Sequence, residues 1–324
     1  MQCETGSSIT ARNVTGSEFI EKDLLGIRDL KKEIIELILK KAEGYKKAFQ
    51  ENLEFPPLLT GKTVVNLFFE NSTRTRMSFE KAAVNLGAVV MNFDSGTSSV
   101  KKGETLVDTV RTVESLGVEG IILRHSLAGS PVMAGNAVKI PVINAGDGCH
   151  EHPSQALLDL FTIQEIKGGI AGLKVLFVGD ILHSRVVRSN LWALLKLGAE
   201  VTVVGPFTLL PPGLWDMGVK ISWDLESCLE EAEVIYMLRL QRERQEKGYF
   251  PSIGEYRKYF ALTAERAENI SPSAVIMHPG PVFPGLEIDH SLMDDPRCLI
   301  QEQVKNGVFV RMALLDLWVA REVN

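Results

Sequence analysis

The order of apolar and polar residues changes its period several times along the chain. After about 20 mostly polar residues, which we expect to form a loosely held end, apolar residues at helical spacing predict a helix from Leu30 to Phe49. Pro56-Pro57 ends this first helix. From residue 64 onward, short β-branched and aromatic runs alternate with segments of helical period, several of which end at a glycine.

This alternation predicts two successive series of strands and helices. The strands of the first series are Val64–Phe69, Val89–Phe93, Gly120–Leu123 and Pro141–Asn144, and its helices are Ser72–Leu86, Thr105–Leu116 and Pro131–Ala137. A longer helix, Pro153–Ile166, separates the two series. The strands of the second series are Lys174–Gly179, Glu200–Val204, Val234–Leu238 and Ala274–Met277, and its helices are Val186–Leu197, Leu225–Ala232 and an amphipathic Val308–Ala320.

Strands that alternate with helices form parallel sheets that are covered by helices on both faces. Because the series runs twice, we predict the α/β class, with two doubly wound parallel-sheet domains joined by helices. The length of 324 residues agrees with two domains, at roughly 150 residues for each. We expect an active site in the cleft between the domains.

Composition narrows the class of function. Hydrophobic residues make up 45% and charged residues 23%, which is typical of a globular chain. With 35 basic and 41 acidic residues, the net charge of −6 argues against general binding to nucleic acid or to an anionic membrane. We expect no secretory signal and no membrane span. Because the four cysteines are scattered, we also expect no disulfide framework and a cytoplasmic protein. They are Cys3, Cys149, Cys228 and Cys298.

The segment 68–76 carries the strongest chemical signal. It joins a predicted strand to a helix start that contains Ser72, Thr73 and Arg74. Unpaired N–H groups at a helix N-terminus, hydroxyl donors and a guanidinium together predict a phosphate site. The chain has neither a P-loop nor a dinucleotide-binding glycine motif at this position. The alternative is a simple Ser72 N-cap followed by a solvated arginine face.

Ser-Thr-Arg-Thr-Arg at 72–76 resembles the carbamoyl-phosphate signature of the aspartate and ornithine transcarbamylases. Five further segments of that family follow in order, and the resemblance covers roughly residues 20–322. These segments are Lys101–Thr105, Arg124-His125, His152–Asp159, Gly179-Asp180 with Arg185 and Arg239–Gln241, and His278–Pro281. The resemblance implies a domain for carbamoyl phosphate at 1–152, completed by the C-terminal helix 303–324, and a domain for the amino acid at 153–302.

The chain is more similar to the aspartate branch of this family than to the ornithine branch. The Ser-Met-Gly and His-Cys-Leu-Pro segments of the ornithine enzymes are absent. A pocket of Lys102, Arg185 and Arg239 would repel the ornithine cation, whereas guanidinium groups bind the two carboxylates of aspartate. The resemblance therefore implies transfer of the carbamoyl group from carbamoyl phosphate to aspartate, an early step of pyrimidine biosynthesis, without a cofactor.

The resemblance also implies a role for each residue of the first substrate's site. The phosphate of carbamoyl phosphate is expected on Ser72, Thr73, Arg74 and Thr75. Arg124 would bridge the phosphate and the carbamoyl oxygen, and Thr75, Arg124 and His152 would polarise the carbonyl group as an oxyanion hole does. The carbamoyl nitrogen is expected on Gln155 and on the backbone carbonyls of Pro279 and Gly280.

Three further residues are assigned to the two carboxylates of aspartate: Arg185, Arg239 and Gln241. Glu70 is expected to pair with Arg185 and with Arg244 when the domains close. Ser98 and Lys102 lie in a glycine-flanked loop, between Gly96 and Gly103, that suits a mobile lid. In the family this loop reaches the neighbouring subunit's site, so the resemblance implies a homotrimer with shared active sites. Composition alone leaves a solvated surface turn as the alternative for this loop.

Several points stay open at the level of sequence. Residues Cys149–His152 have metal-ligand types, but they are crowded in one loop, and we expect no metal there. Phe283-Pro284 departs from the Asn and Arg that are common in related chains, which puts the conformation of the aspartate-side loop in question. Alternative functions are transcarbamylation of another amino acid and anion binding without catalysis. A regulatory chain and a dihydroorotase are both open as partners.

Overall fold

The computed structural model describes residues 20–94, 103–241 and 252–321. The strands are β1 Thr63–Phe68, β2 Val89–Asp94, β3 Gly120–His125, β4 Val142–Asp147, β5 Lys174–Val178, β6 Glu200–Val204, β7 Lys220–Ser222, β8 Val234–Met237 and β9 Val275–Met277. The helices are α1 Lys32–Gln50, α2 Thr73–Asn85, α3 Leu106–Ser115, α4 Ser130–Ala137, α5 Pro153–Lys167, α6 Arg185–Lys196, α7 Leu225–Glu231, α8 Ile253–Phe260, α9 Ala264–Glu268 and α10 Ile300–Leu315. The segment Asp316–Ala320 continues α10 as a π-helix.

The strands form two parallel sheets with crossover connections. The first sheet has the order β2-β1-β3-β4, and the second has the order β7-β6-β5-β8-β9. In both sheets the chain starts near the middle and winds outward in both directions, which is the doubly wound arrangement. The predicted fold class of two parallel-sheet α/β units is confirmed.

Helices α5 and α10 join the two sheets. Both helices are buried on most sides, and they pack against each other and against α1. One continuous hydrophobic cluster runs from Val64 of β1 through these helices to Phe177 of β5. The shared core therefore supports a cleft above it, between the carboxyl ends of the strands of both sheets. The proposed domain boundary at residues 152 and 153, where α5 begins, stays a prediction.

The structure differs from the predicted local structure at several elements. The last helix begins at Ile300 instead of Val308, and it is largely buried instead of amphipathic, because α1, α2 and α5 surround it. The short edge strand β7 was not predicted, since three residues that begin with Lys220 give no clear alternation. Helix α8 was also missed, although the Ser252 hydroxyl accepts the N–H of Glu255 as an N-cap does.

Candidate active site

A cavity of about 620 Å³ opens between the two sheets, at the carboxyl ends of their strands. Its walls come from the starts of α2, α5 and α6, from the segments that follow β8 and β9, and from α10. Among its lining residues in the described chain are five arginines and a single carboxylate, Glu70. The arginines are Arg74, Arg124, Arg185, Arg239 and Arg311. Such a surplus of guanidinium groups favours ligands that carry several negative charges.

The start of α2 forms one end of this cavity. The Ser72 hydroxyl accepts the N–H of Thr75 at 3.4 Å, so Ser72 is indeed the N-cap of α2. Ser72, Thr73, Arg74 and Thr75 nevertheless all line the cavity. Ser72 is therefore an N-cap, as the alternative interpretation predicted, but it and the three residues after it also belong to the candidate site. Arg74 extends to the opposite wall, where a Cβ at Gly280 would lie 3.3 Å from its guanidinium carbon.

Arg124 and His152 form the next part of the wall. Arg124 donates to the Ala145 carbonyl at 3.1 Å, and its Nη1 lies 3.5 Å from Nε2 of His152. The backbone N–H of His152 donates to the Ser189 hydroxyl at 2.8 Å. Burial lowers the pKa of His152 well below its usual value, and the positive charges of Arg124, Arg185 and Arg311 lower it further. The imidazole is therefore neutral at pH 7, beside a permanent cation.

Glu70 joins the two sides of the cavity through a shared carboxylate. It accepts a hydrogen bond from Arg124 at 2.6 Å and binds Arg185 through both guanidinium Nη atoms. The pair with Arg185 agrees with the expectation from the resemblance, while Arg244 lies outside the described residues. Because Arg185 begins α6, this carboxylate links α6 of the second sheet to Arg124 of β3.

The opposite wall holds Arg239 and Gln241, which follow β8. The Arg239 guanidinium carbon lies 5.3 Å from the centre of the Phe283 ring, which is a cation–π contact. The backbone N–H of Gln241 donates to the carboxylate of Asp180 at 3.2 Å. The departure at residue 283 thus places an aromatic ring against a predicted aspartate-binding arginine.

The side chain of Gln155, on the first turn of α5, is held by a buried carboxylate. Its amide Nε2 donates to the carboxylate of Asp159 at 3.0 Å, and Gln155 lines the cavity. Asp159 also accepts hydrogen bonds from three other side chains: Asn190, Tyr236 and Gln303. Burial raises the pKa of Asp159 to about 6, although the hydrogen bonds from its neighbours lower it. Because this pKa is still below 7, the carboxylate is ionised at neutral pH.

The structure brings twelve of the fourteen predicted site residues together around this one cavity. They are Ser72, Thr73, Arg74, Thr75, Arg124, His152, Gln155, Arg185, Arg239, Gln241, Pro279 and Gly280. Ser98 and Lys102 lie outside the described residues. The role of each residue toward a substrate stays a prediction.

Arg311 is a lining residue that the sequence analysis missed. It is 3% exposed, it lies 5.1 Å above the Phe79 ring, and it donates to the Ser78 hydroxyl at 2.9 Å. Burial lowers its pKa to about 10, which leaves it charged at neutral pH. Gly307 makes room for this guanidinium, since a Cβ there would collide with it. A glycine four residues before an arginine on one helix was the available signal.

The residues of the crowded Cys149–His152 loop point to different places. Glu151 accepts hydrogen bonds from the Ile27 N–H at 2.7 Å and from the Ser189 hydroxyl at 2.8 Å, and His150 lies beside Asp147. Within residues 20–94, 103–241 and 252–321, no group of three or more metal-ligand side chains is placed to hold a metal ion. Among the helices of these same ranges, none has the length and apolar character to cross a membrane.

Comparison with known proteins supports the resemblance to the aspartate and ornithine transcarbamylases. Residues 22–165 match the family model "aspartate/ornithine carbamoyltransferase, carbamoyl-P binding domain", and residues 171–318 match the corresponding "Asp/Orn binding domain". The chain is 52% identical over 298 residues to an aspartate carbamoyltransferase catalytic subunit from Moorella thermoacetica, covering 92% of this chain and 97% of the relative. It is 51% identical to the corresponding subunit from Opitutus terrae, with 91% and 94% covered.

Solved structures of this family are similar to nearly the whole chain. Aspartate transcarbamoylase from Trypanosoma cruzi, in complex with N-(phosphonacetyl)-L-aspartic acid, superposes with a TM-score of 0.85 at 30% identity, covering 94% of this chain and 97% of that one. Ornithine carbamoyltransferase from Pyrococcus furiosus superposes with a TM-score of 0.81 at 30% identity, covering 92% and 96%. The fold is thus common to structures of both substrate branches.

Proposed function

The chain belongs to the aspartate/ornithine carbamoyltransferase family, and on this premise we propose that it transfers the carbamoyl group of carbamoyl phosphate to the amine of L-aspartate. The products are N-carbamoyl-L-aspartate and phosphate, which places the chain at an early step of pyrimidine biosynthesis. The observation that carries the proposal is the single cavity in which a helix N-terminus and five guanidinium groups converge from both sheets. No cofactor is needed for this reaction.

The start of α2 suits the phosphate of carbamoyl phosphate. The first turn of a helix presents N–H groups without intrahelical partners and the positive end of the helix dipole. Thr73 and Arg74 add a hydroxyl and a guanidinium, and Arg74 spans the cleft to Gly280. A phosphate bound here would contact both walls, so it would hold the two halves of the cavity together.

The next group along the cavity wall suits the carbamoyl carbonyl. As the amine attacks, negative charge grows on the carbonyl oxygen, and fixed donors stabilise that charge without further reorganisation. Thr75, Arg124 and neutral His152 lie next to the phosphate end and are buried. Gln155 lines the cavity and donates its Nε2 to Asp159, so its amide oxygen is the acceptor that it offers to the carbamoyl amino group.

The second-sheet side suits the two carboxylates of aspartate. Arg185, Arg239 and Gln241 line the same cavity and supply two guanidinium groups and one amide. The positive charge of ornithine would be repelled by these arginines, which favours aspartate over the substrate of the other branch. The only lining carboxylate among the described residues, Glu70, is bound by Arg124 and Arg185, so it offers no site for a substrate cation.

The chemistry then requires alignment more than a catalytic base. With both substrates bound in one cavity, the neutral amine of aspartate attacks the carbamoyl carbon, and the bond from that carbon to the phosphate oxygen breaks. The departing phosphate is close to the amine and basic enough to take its proton. We infer that the proton leaves with the phosphate.

We further propose a cytoplasmic homotrimer with shared active sites. Strand β2 is an edge of the first sheet, and Ser98 and Lys102 come shortly after it in the sequence. Exposed apolar side chains lie on β2 and on the neighbouring α2, which is the surface that a second copy of the chain would cover. These side chains are Met77, Val84, Val89 and Met91. The curated relatives are named catalytic subunits, so a regulatory chain or a dihydroorotase is a further candidate partner.

A product assay tests the proposed function. The purified protein is incubated with carbamoyl phosphate and, separately, with aspartate, ornithine and other amino acids, and carbamoylated products are identified by mass spectrometry. We expect carbamoyl aspartate at a rate far above the background without enzyme, and little product from ornithine. Absence of carbamoyl aspartate, or a stronger signal from another amino acid, would contradict the proposal. The Arg239→Met variant serves as the control for a contaminating enzyme.

A further inference from the structure

Glu287 is a buried carboxylate directly behind the wall of the active-site cavity. It is 0% exposed, and it lies in the segment that follows β9. Its Oε1 accepts the backbone N–H of Leu240 at 2.9 Å, and its Oε2 accepts the backbone N–H of Phe283 at 2.9 Å. Nε2 of His278 lies 3.2 Å from the same Oε2. One side chain therefore contacts two segments that carry predicted substrate-binding residues.

The hydrogen bonds of His278 determine which of its nitrogens carries the proton. The backbone N–H of Gly280 donates to Nδ1 at 2.9 Å, so Nδ1 must be unprotonated. Nε2 then carries the proton and donates it to Glu287. Burial lowers the pKa of His278, and the charges of Arg74 and Arg239 add to this effect while Glu287 opposes it. The ring is therefore a neutral relay with one donor and one acceptor.

This relay determines the direction of a carbonyl group in the cavity wall. The peptide between Pro279 and Gly280 is planar and trans, so the Pro279 carbonyl points opposite to the Gly280 N–H. Since that N–H points at the buried ring of His278, the carbonyl points away from the ring, and Pro279 itself lines the cavity. The hydrogen bond to His278 thus fixes the direction of a carbonyl that is expected to accept from the carbamoyl amino group.

The other oxygen of Glu287 holds the segment that follows β8. Leu240 is fully buried and gives its N–H to Glu287, while its two neighbours, Arg239 and Gln241, both line the cavity. Because Leu240 is held in the core between them, its hydrogen bond to Glu287 fixes the backbone from which Arg239 and Gln241 reach the cavity wall.

We propose that Glu287 is a positioning residue that sets both halves of the reaction site through one carboxylate. Through His278 it aims the Pro279 carbonyl at the carbamoyl amino group, and through Leu240 it holds Arg239 and Gln241 toward the carboxylates of aspartate. The first contact gives selectivity for a carbamoyl group over an acyl group without N–H donors, and the second supports aspartate binding. This inference rests on the proposed carbamoyl transfer.

The Glu287→Gln variant tests this idea with little change in size. Both oxygens of Glu287 face N–H donors, so the NH₂ group of a glutamine opposes a donor in either orientation. Opposition to Leu240 disturbs the aspartate side, and opposition to Phe283 and His278 disturbs the carbamoyl side. In either orientation, the variant is therefore expected to impair one of the two substrate contacts.

Two measurements separate these contacts. The first is the ratio of kcat/KM for carbamoyl phosphate to kcat/KM for acetyl phosphate, in which a methyl group replaces the amino group. With acetyl phosphate, the aspartate amine attacks the acetyl carbon, the bond to phosphate breaks, and N-acetylaspartate and phosphate form. The second is the KM for aspartate. For Glu287→Gln we expect an effect of about tenfold on one of the two quantities, as the loss of one buried hydrogen bond predicts. The ratio falls about tenfold if the NH₂ group faces Phe283 and His278, and the KM for aspartate rises about tenfold if it faces Leu240.

Two further variants make the test specific. His278→Asn removes the relay but keeps the contact between Leu240 and Glu287, so the ratio should fall while the KM for aspartate stays within about twofold. Asp289→Asn is the matched control, since this carboxylate lies two residues away, binds Arg257 at 2.7 Å and lies outside the cavity lining. It should change neither quantity. A folded Glu287→Gln variant with both quantities unchanged would overturn the proposal.

Circular dichroism shows whether each variant folds. If a variant does not fold, a measurement on the unaltered protein still tests the proposal. The chain has six histidines, so ¹⁵N-histidine labelling with NMR can report the protonation of His278. We expect a protonated Nε2 and an unprotonated Nδ1 at pH 7, and the opposite tautomer or a charged ring would overturn the proposal. Failure of the proposed function is distinguishable, because the unaltered protein would then form no carbamoyl aspartate whatever the tautomer.

Discussion

The first-sheet side and the second-sheet side of the cavity both present groups for anions, but they are constructed differently. On the first-sheet side, Ser72, Thr73, Arg74 and Thr75 are consecutive, and a single helix start directs them. On the second-sheet side, Arg185 begins α6, while Arg239 and Gln241 follow β8. These are separate segments, and Glu70, Asp180 and Glu287 anchor them through hydrogen bonds.

This difference indicates which groups make the protein specific for each substrate. A helix N-terminus binds a phosphate through geometry that every helix has, so the first side needs little support from the rest of the protein. Two carboxylates at a fixed separation require side chains from several segments to be held at the right distance. The second side therefore depends on carboxylates that hold these segments in place, and substitutions there should act through KM for aspartate.

The largest expected effect is on the group shared by both sides. Replacing Arg124 with methionine removes the cation beside His152 and a partner of Glu70. Loss of a donor that stabilises developing charge costs roughly 10²–10³-fold in kcat. Steady-state kinetics of Arg124→Met should show this loss, whereas Arg76→Met, at an exposed residue of α2 that does not line the cavity, should stay near the unaltered enzyme.

The second prediction concerns the aspartate side alone. Arg239→Met should raise the KM for aspartate by about 100-fold, because a desolvated guanidinium–carboxylate contact contributes on the order of 3 kcal/mol. Binding of carbamoyl phosphate, measured by calorimetry without aspartate, should change by less than about threefold. Equal weakening of both ligands would show that the two sides are not constructed as separately as described.

A third prediction follows from the depressed pKa of His152. Folding holds this ring neutral, whereas the unfolded chain takes up a proton as the pH falls through about 6.5. The folded state therefore loses stability below pH 6.5 and gains nothing from this group above it. The slope is about 1.4 kcal/mol per pH unit for one proton.

Chemical denaturation at several pH values checks the third prediction against His152→Asn. The difference in unfolding free energy between the two proteins should be constant from pH 8 to pH 6.5. Below pH 6.5 the unaltered protein should lose stability faster than the variant. Parallel curves down to pH 5 would contradict a neutral, buried His152.

The smallest effect is expected at the departure from the family pattern. Phe283→Asn removes the ring beside Arg239 while keeping the backbone N–H that Glu287 accepts. An exposed cation–π contact contributes about 0.5–1 kcal/mol, so the KM for aspartate should rise by about twofold to fivefold. A change above tenfold would mean that Phe283 has a larger part in the site than this contact explains.

The sequence predicted the parts of the site that are local in the chain. The run 72–75 shows its chemistry in consecutive residues, and the strand-helix alternation gave the fold class. Asp159, Glu287 and Arg311 were missed, because a buried carboxylate or guanidinium in the sequence looks like any surface charge. Their partners, such as Leu240 for Glu287, lie 47 residues away and come together only in the folded chain.

The most direct test of the two-sided cavity is a crystal structure with N-(phosphonacetyl)-L-aspartate, which joins mimics of both substrates in one molecule. We expect one molecule per chain, with its phosphonate at the start of α2 beside Arg74 and its carboxylates on Arg185 and Arg239. An empty cleft under saturating ligand, or a phosphonate bound away from α2, would contradict it.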